Sequence, residues 1–350
     1  MRWVLIFSLW ACSGSSGKND SAETNAEADT DADTDADADA DADTDTDTDA
    51  DADTDTEPSR VYATLVSHNE QDNNPGCAPV LADRIEFLKN RRSTLDFAEM
   101  VVRTGAAWDL QTDFRYLEQL AEWEDAAELA ETDGKTLFKY LTDTYPDQIV
   151  VDPHNHDTPG INYADVAAML EAIGVPDTGV VGGFLYYPAE DADWQRFEQP
   201  LDALSHPGFS WQGQILWGPA TSGHSGPDSE ASGLWRPTSA EDFHTDDPTQ
   251  SLVAIGMYKE AKFEEGDGAG LVELLDDLEA GAFEPGAVIT ASLFYDQCGF
   301  DDAGISDTET FIDSLSDHVD AGRLVWATVP DVVETWRTTY ESNPWVHNAP

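Results

Sequence analysis

The chain is short of positive charge, of cysteine and of long apolar runs. Its 350 residues hold 17 Lys and Arg against 71 Asp and Glu, a formal net charge of −54. So few bases exclude nucleic acid as a partner, because phosphates would be repelled, and argue against docking on an anionic lipid surface. Cysteine occurs only as Cys12, Cys77 and Cys298. After the first residues no stretch is long and apolar enough for a transmembrane helix. The acidity is not confined to one end. Residues 1–57 hold 18 acids and two bases and so carry −16, which leaves −38 on the rest. A surface this acidic suits salty surroundings, where screening removes the self-repulsion.

What is present begins with a short leader. Arg2 precedes an apolar run from Trp3 to Trp10, and Leu9-Trp10-Ala11-Cys12 follows, with a small residue just before the cysteine. This resembles the lipobox of a bacterial lipoprotein signal. The resemblance implies cleavage before Cys12, lipidation of Cys12, and an exported protein held at the cell envelope by its lipid alone. The alternative is an ordinary signal peptide in which Cys12 is incidental. Export leaves Cys77 and Cys298 either joined in one disulfide or as two separate thiols. Residues 13–57 read as a tether. From 28 to 56 they alternate Asp-Ala and Asp-Thr, which is self-repelling and too polar to fold. Carboxylates at alternate positions also resemble calcium-loop ligands, but no glycine supplies the tight turn of such a loop.

Residues 58–350 read as one folded domain. Short β-branched runs predict strands at Val61–Ser67, Ile149–Val151, Gly179–Tyr186, Gln214–Trp217, Leu252–Met257, Ala287–Tyr295 and Leu324–Thr328, with an eighth near Ala107–Leu110. Helical spacing lies between them. One helix holds Val166, Met169, Leu170 and Ile173 behind Asn162 as N-cap. Another holds Leu271, Leu274, Leu275 and Leu278 and is closed by Gly281. A third holds Phe311, Ile312, Leu315 and Val319, opened by Asp307 and closed by Gly322. Near-continuous apolar strands alternating with helices predict an α/β fold around a parallel sheet. Seven or eight such units predict an irregular (β/α) barrel, with an open doubly wound sheet as the alternative. Ser205–Thr249 breaks the rhythm, being rich in Gly, Pro, Ser, Asp and Trp, and reads as a long loop insertion over one barrel end.

Two motifs follow strands directly. Ser67-His68-Asn69-Glu70 ends the first strand, and Asp152-Pro153-His154-Asn155-His156-Asp157 ends the Ile149–Val151 strand. Functional groups of β/α barrels gather at the C-terminal ends of strands. On extended backbone, residues i and i+2 share a side, so His68 pairs with Glu70 and His154 with His156. Three imidazoles and a carboxylate make a set for one divalent metal, zinc before iron, manganese or nickel. The competing reading makes His154 and His156 caps of local turns and His68 an ordinary buried histidine. A catalytic centre also needs an acid and a base, and Asp157, Asp113, Asp296 and His224 are the candidates. Trp217 and Trp235 in the long segment, with Tyr187 after an earlier strand, offer aromatic faces for sugar rings. Packing of the loop is the other use for them.

The layout from 61 to 340 resembles the polysaccharide deacetylases and the wider glycoside hydrolase/deacetylase superfamily. Val61–Glu70 stands at the family's first strand and motif. Leu137-Phe138-Lys139-Tyr140-Leu141 running into Ile149–His156 stands at the helix and strand that deliver metal histidines. Gly322-Arg323-Leu324-Val325-Trp326-Ala327-Thr328 stands at the closing strand. The resemblance implies a seven-stranded β/α barrel and a metal role for His68, Glu70, His154 and His156. Two differences are plain. The family's paired aspartates are replaced by His68-Asn69-Glu70, and its histidines four apart are here two apart. The catalytic-base role therefore has no matching residue. The expectation is a metal-dependent hydrolase removing an amide or ester substituent from a carbohydrate or cell-wall-type substrate, acting as a monomer at the cell envelope. The other expectation is a non-catalytic glycan-binding lipoprotein built on the same barrel.

Overall fold

The computed structural model describes residues 57–70, 83–155, 160–182, 197, 199–218, 231–239, 242–257, 261–262, 268–296 and 299–348. All belong to one compact unit, Thr54–Pro350. Cys12, the tether to residue 56, Cys77, His156, Asp157, Tyr187, His224 and Cys298 lie outside the described residues.

The frame is set by alternation along β1 (Arg60–Asn69). Val61, Ala63 and Leu65 face the helices, while Tyr62 and Val66 face the opposite way. Both faces are buried, as in a central parallel strand. β1 runs parallel to β2 (Trp108–Thr112) and to β11 (Val288–Asp296), and its first residues also pair with β12 (Leu324–Trp326). β2 continues in parallel to β3 (Ile149–Pro153). A second sheet carries β4 (Val180–Gly182), β7 (Ile215–Trp217) and β9 (Val253–Ile255), mutually parallel, then β8 (Ala231–Trp235) and β13 (Trp345–Asn348) as antiparallel additions. Three short strands stand beside this frame. β5 (Leu201–Asp202) pairs β6 (Ser210–Trp211), and β10 (Ala261–Lys262) pairs β11.

Two seams join the sheets. A parallel bridge links His154 to Gly182, and the Ser292 N–H donates to the Met257 carbonyl at 3.0 Å. These two contacts set the parallel strands β1, β2, β3 and β11 of the first sheet beside the parallel strands β4, β7 and β9 of the second. The expected α/β architecture is present. β12 pairs Val61–Ala63 and β2 pairs Leu65–Asn69, so the two share one edge of β1.

The helices lie where the spacing places them. α1 (Arg84–Thr104) starts on Asp83, whose carboxylate accepts from the N–H groups of Ile85 and Glu86, and stops at Gly105 with φ 73°. α2 (Phe114–Trp123) and α4 (Leu137–Thr144) cover β2 and β3, and α3 (Ala126–Glu131) connects them without burying a residue. α5 (Tyr163–Ala172) is capped by Asn162 as expected, and Asp165 answers in a capping box. α6 (Ala269–Glu279) buries Leu271, Leu274 and Leu275. The third helix begins earlier than Asp307. α7 (Asp302–Ser314) is capped by Asp301, whose carboxylate takes the Gly304 N–H, and α8 (Ser316–Asp320) follows it. Asp301 accepts the orphan N–H of the first turn, whereas Asp307 is already within the helix. α9 (Val329–Thr338) lays Val329, Val332, Val333 and Trp336 in the cluster with Tyr62, Val66, Ile215 and Trp217.

The segment Ser205–Thr249 is more than a loop insertion. β8 lies within it and joins the second sheet. Its glycine, which in sequence looks like a loop signal, is there to admit a neighbour. A Cβ on Gly233 would stand 2.1 Å from the Trp345 carbonyl oxygen, and φ is 111°. Glycine in a strand marks such close approach.

Candidate metal centre

The same alternation that divides the core builds the site. On β1 the inward series Tyr62, Thr64, Val66 leads by twos to His68 and Glu70. On β2, Trp108 and Leu110 face the helices, so Asp109 and Gln111 face inward. On β3, Ile149 and Val151 face outward, so Asp152 and His154 face inward. β7 contributes Trp217 and β11 contributes Phe294 and Asp296.

His68, Glu70 and His154 meet. All three are buried, and one ligand-type atom from each lies within 4.8 Å of the others. The His154 Nε2–H donates to Glu70 Oε2 at 2.9 Å. The His68 and His154 rings stand 4.1 Å apart between centroids, tilted by 37°. Trp217 and Phe294 close on His68 edge to face at 5.7 and 4.5 Å. Trp217 is fixed in turn by its indole N–H, which donates to Ser292 Oγ at 2.9 Å. On the outer face of β1, the Trp108 indole donates to Ser67 Oγ, and Ser67 donates to Asn69 Oδ1. Residues 67 and 69 are thereby pinned outward, which leaves 68 and 70 turned to the interior.

Two imidazoles and one carboxylate fit a divalent ion. Two histidines and a glutamate form one of the three-residue sets that leave zinc an open position. The arrangement can therefore hold a metal. Asp296 is the register partner of His68 on the adjacent strand and is buried. It puts a second carboxylate level with the centre.

The other residues singled out from the sequence divide. Trp217 lies beside His68. Asp113 caps α2, where its carboxylate accepts the Tyr116 N–H at 2.7 Å. Trp235 is buried in a separate apolar cluster, with its indole N–H donating to the Phe243 carbonyl at 2.5 Å. It stands among Phe243, His244 and Leu252 rather than beside His68.

Sequence reasoning passes over three inward residues of β2 and β3: Asp109, Gln111 and Asp152. All are fully buried. Burial, and next the charge of Asp152, push the Asp109 carboxyl well above the usual carboxylate range. Burial pushes Asp152 up to about 7, against a hydrogen bond from the Thr178 hydroxyl. The Val329 N–H, at the start of α9, donates to Asp109 at 3.1 Å. Burial and the neighbouring Asp152 charge thus favour the neutral form of Asp109. The signal is present in the sequence: Asp109 and Gln111 alternate with Trp108 and Leu110.

No protein-family model matches the sequence, and no curated protein sequence matches it either. Three solved structures are similar to it in fold. A 4-α-glucanotransferase from Thermococcus litoralis aligns at 12% identity and a TM-score of 0.45, over 82% of this chain but 40% of its own. A protein from Parabacteroides distasonis described as a glycoside hydrolase/deacetylase aligns at 10% and 0.49, over 82% of this chain and 73% of its own. A family 57 branching enzyme from Thermococcus kodakaraensis, solved with glucose, aligns at 10% and 0.43, over 79% and 71%. The α/β architecture around parallel strands is read from the chain's own sheets.

Proposed function

We propose that the chain is a metal-dependent hydrolase that removes an amide or ester substituent from a carbohydrate derivative. The observation that carries this is the meeting of His68, Glu70 and His154 at the C-terminal ends of β1 and β3. These residues would hold the ion, with zinc best suited to the donor set. A divalent ion there supplies a water of lowered pKa and polarises a carbonyl.

The remaining work falls to side chains. Asp296, level with His68, is the carboxylate that takes and returns a proton, a role that the family motif left without a matching residue. Trp217 and Phe294, both buried, keep water from the His68 ring. The substrate class rests on the resemblance to the polysaccharide deacetylases. The leader and Cys12 support an exported chain anchored by lipid, with the acidic repeat as a stand-off.

The test uses the purified chain. Metal content by mass spectrometry, with and without His154→Ala, is followed by acetyl release from chromogenic acetyl esters and chito-oligosaccharides. A wild type without stoichiometric metal would end the metal reading. Metal and oligosaccharide binding without turnover would leave the glycan-binding alternative.

A further inference from the structure

Gln111 is fully buried on the inward face of β2, and among the described residues neither heteroatom of its amide has a hydrogen-bond partner. A buried amide without partners costs about 1–3 kcal/mol, so a fold keeps one where something else meets it. Its position indicates what that is. Gln111 is the register partner of His68 on one side and of Asp152 on the other. Its carboxamide reaches across to β4: a Cβ on Gly182 would stand 2.3 Å from Gln111 Cδ and Oε1. Gly182 is in turn the bridge partner of His154. The amide thus lies on the inner surface between the strand that carries His68 and the residue facing His154. The absence of a side chain at Gly182 is what gives it room.

We propose that Gln111 is a positioning residue of the metal centre, its carboxamide hydrogen-bonding a water molecule held beside the ion by His68, Glu70 and His154. The inference rests on the metal reading given above. A carboxamide suits this task because it is neutral and offers both an acceptor, Oε1, and a donor, Nε2. A water seated on Oε1 is oriented by it, and Nε2 remains to donate to an oxygen brought in by a substrate. Neighbours that orient the ligands of a metal typically change affinity by 10–100-fold when removed.

Gln111→Met keeps the length and removes both hydrogen-bonding atoms, and Gln111→Glu restores an acceptor. The readouts are metal affinity by chelator competition, the pH midpoint of the visible spectrum of the cobalt-loaded protein, and the melting temperature of the metal-free protein. The expected result for Gln111→Met is a metal-free melting temperature at or above wild type. Its affinity should fall about 10-fold or more, and the pH midpoint should move upward. Gln111→Glu recovers part of the affinity. Wild-type affinity and midpoint in Gln111→Met would overturn the proposal while leaving the metal centre intact. A wild type that binds no ion would overturn the metal reading first and this inference with it. Should Gln111→Met fail to fold, Gly182→Ala displaces the amide without altering it. Unchanged affinity and midpoint in that variant would equally overturn the proposal.

Discussion

His154 donates from Nε2 to Glu70 Oε2 at 2.9 Å, across a separation of 84 residues in the chain. Neither residue is a neighbour of the other in register. They meet because the end of β1 and the end of β3 turn toward one interior. A proton now joins two atoms that an ion would join instead, so metal and proton compete for them. His154→Ala should abolish stoichiometric metal and leave a folded chain, as read by elemental analysis beside circular dichroism. Loading of the wild type should weaken as the pH is lowered.

Asp296→Asn addresses the step after binding. If Asp296 moves the proton, the asparagine variant keeps its metal and loses about 10²–10⁴-fold in turnover. Steady-state kinetics on the best acetylated substrate would decide it. Undiminished kcat would remove Asp296 from the mechanism.

Asp109 and Asp152 predict a pH dependence of stability. Both carboxyls are raised in the folded state, chiefly by burial. A raised carboxyl favours folding fully below its ordinary value of 3.8, and that contribution drains as the pH climbs through the folded value. For Asp152 the loss should be complete above about 7. Asp109→Asn keeps the shape and cannot ionise. Its melting temperature should decline less than that of wild type between about pH 5 and about pH 8. Parallel curves for the two proteins would contradict the assignment.

Arg91 carries a separate prediction. Its side chain is 2% exposed and meets Glu124, itself 1% exposed, at 2.7 Å. It also reaches Glu131, the Glu128 carbonyl and Thr132. Among the described residues, Arg91→Met leaves the Glu124 carboxylate buried with only the Leu137 N–H as a donor. The cost should be about 3–5 kcal/mol, measured by denaturant unfolding. Adding Glu124→Gln should recover part of it, because a neutral amide still accepts from Leu137.

Net charge gives the last. With −38 on residues 58–350, raising sodium chloride from about 0.1 M to about 1 M shortens the screening length from about 10 Å to about 3 Å. The melting temperature should rise across that range. A flat or falling response would show that the acidic surface is not self-repelling enough to matter.

Much of the fold is legible in the sequence because its signals are local. The near-continuous apolar runs of Val61–Val66 and Val288–Asp296 are a property of neighbouring residues, as is the capping of α5 by Asn162. The parity that aims His68 and Glu70 to one side is equally local. Where local signals are ambiguous they mislead. Gly233 looks like a loop residue until Trp345, more than a hundred residues away, is found against it. Asp301 and Asp307 are both acceptable caps in sequence, and only the packed start of α7 chooses between them.

By itself, then, the sequence determined the alternation of strands and helices, the excess of acid, and the set of side chains that point off each strand. These follow from backbone geometry and composition. Only the tertiary structure decided which strands are neighbours and at what register. That register brings His68 and Glu70 to His154, sets Asp296 and Gln111 level with His68, and sends Asp113 to cap a helix and Trp235 into a different cluster. The physical reason is that pairing between distant strands depends on burying all their apolar faces at once, a condition no local pattern contains.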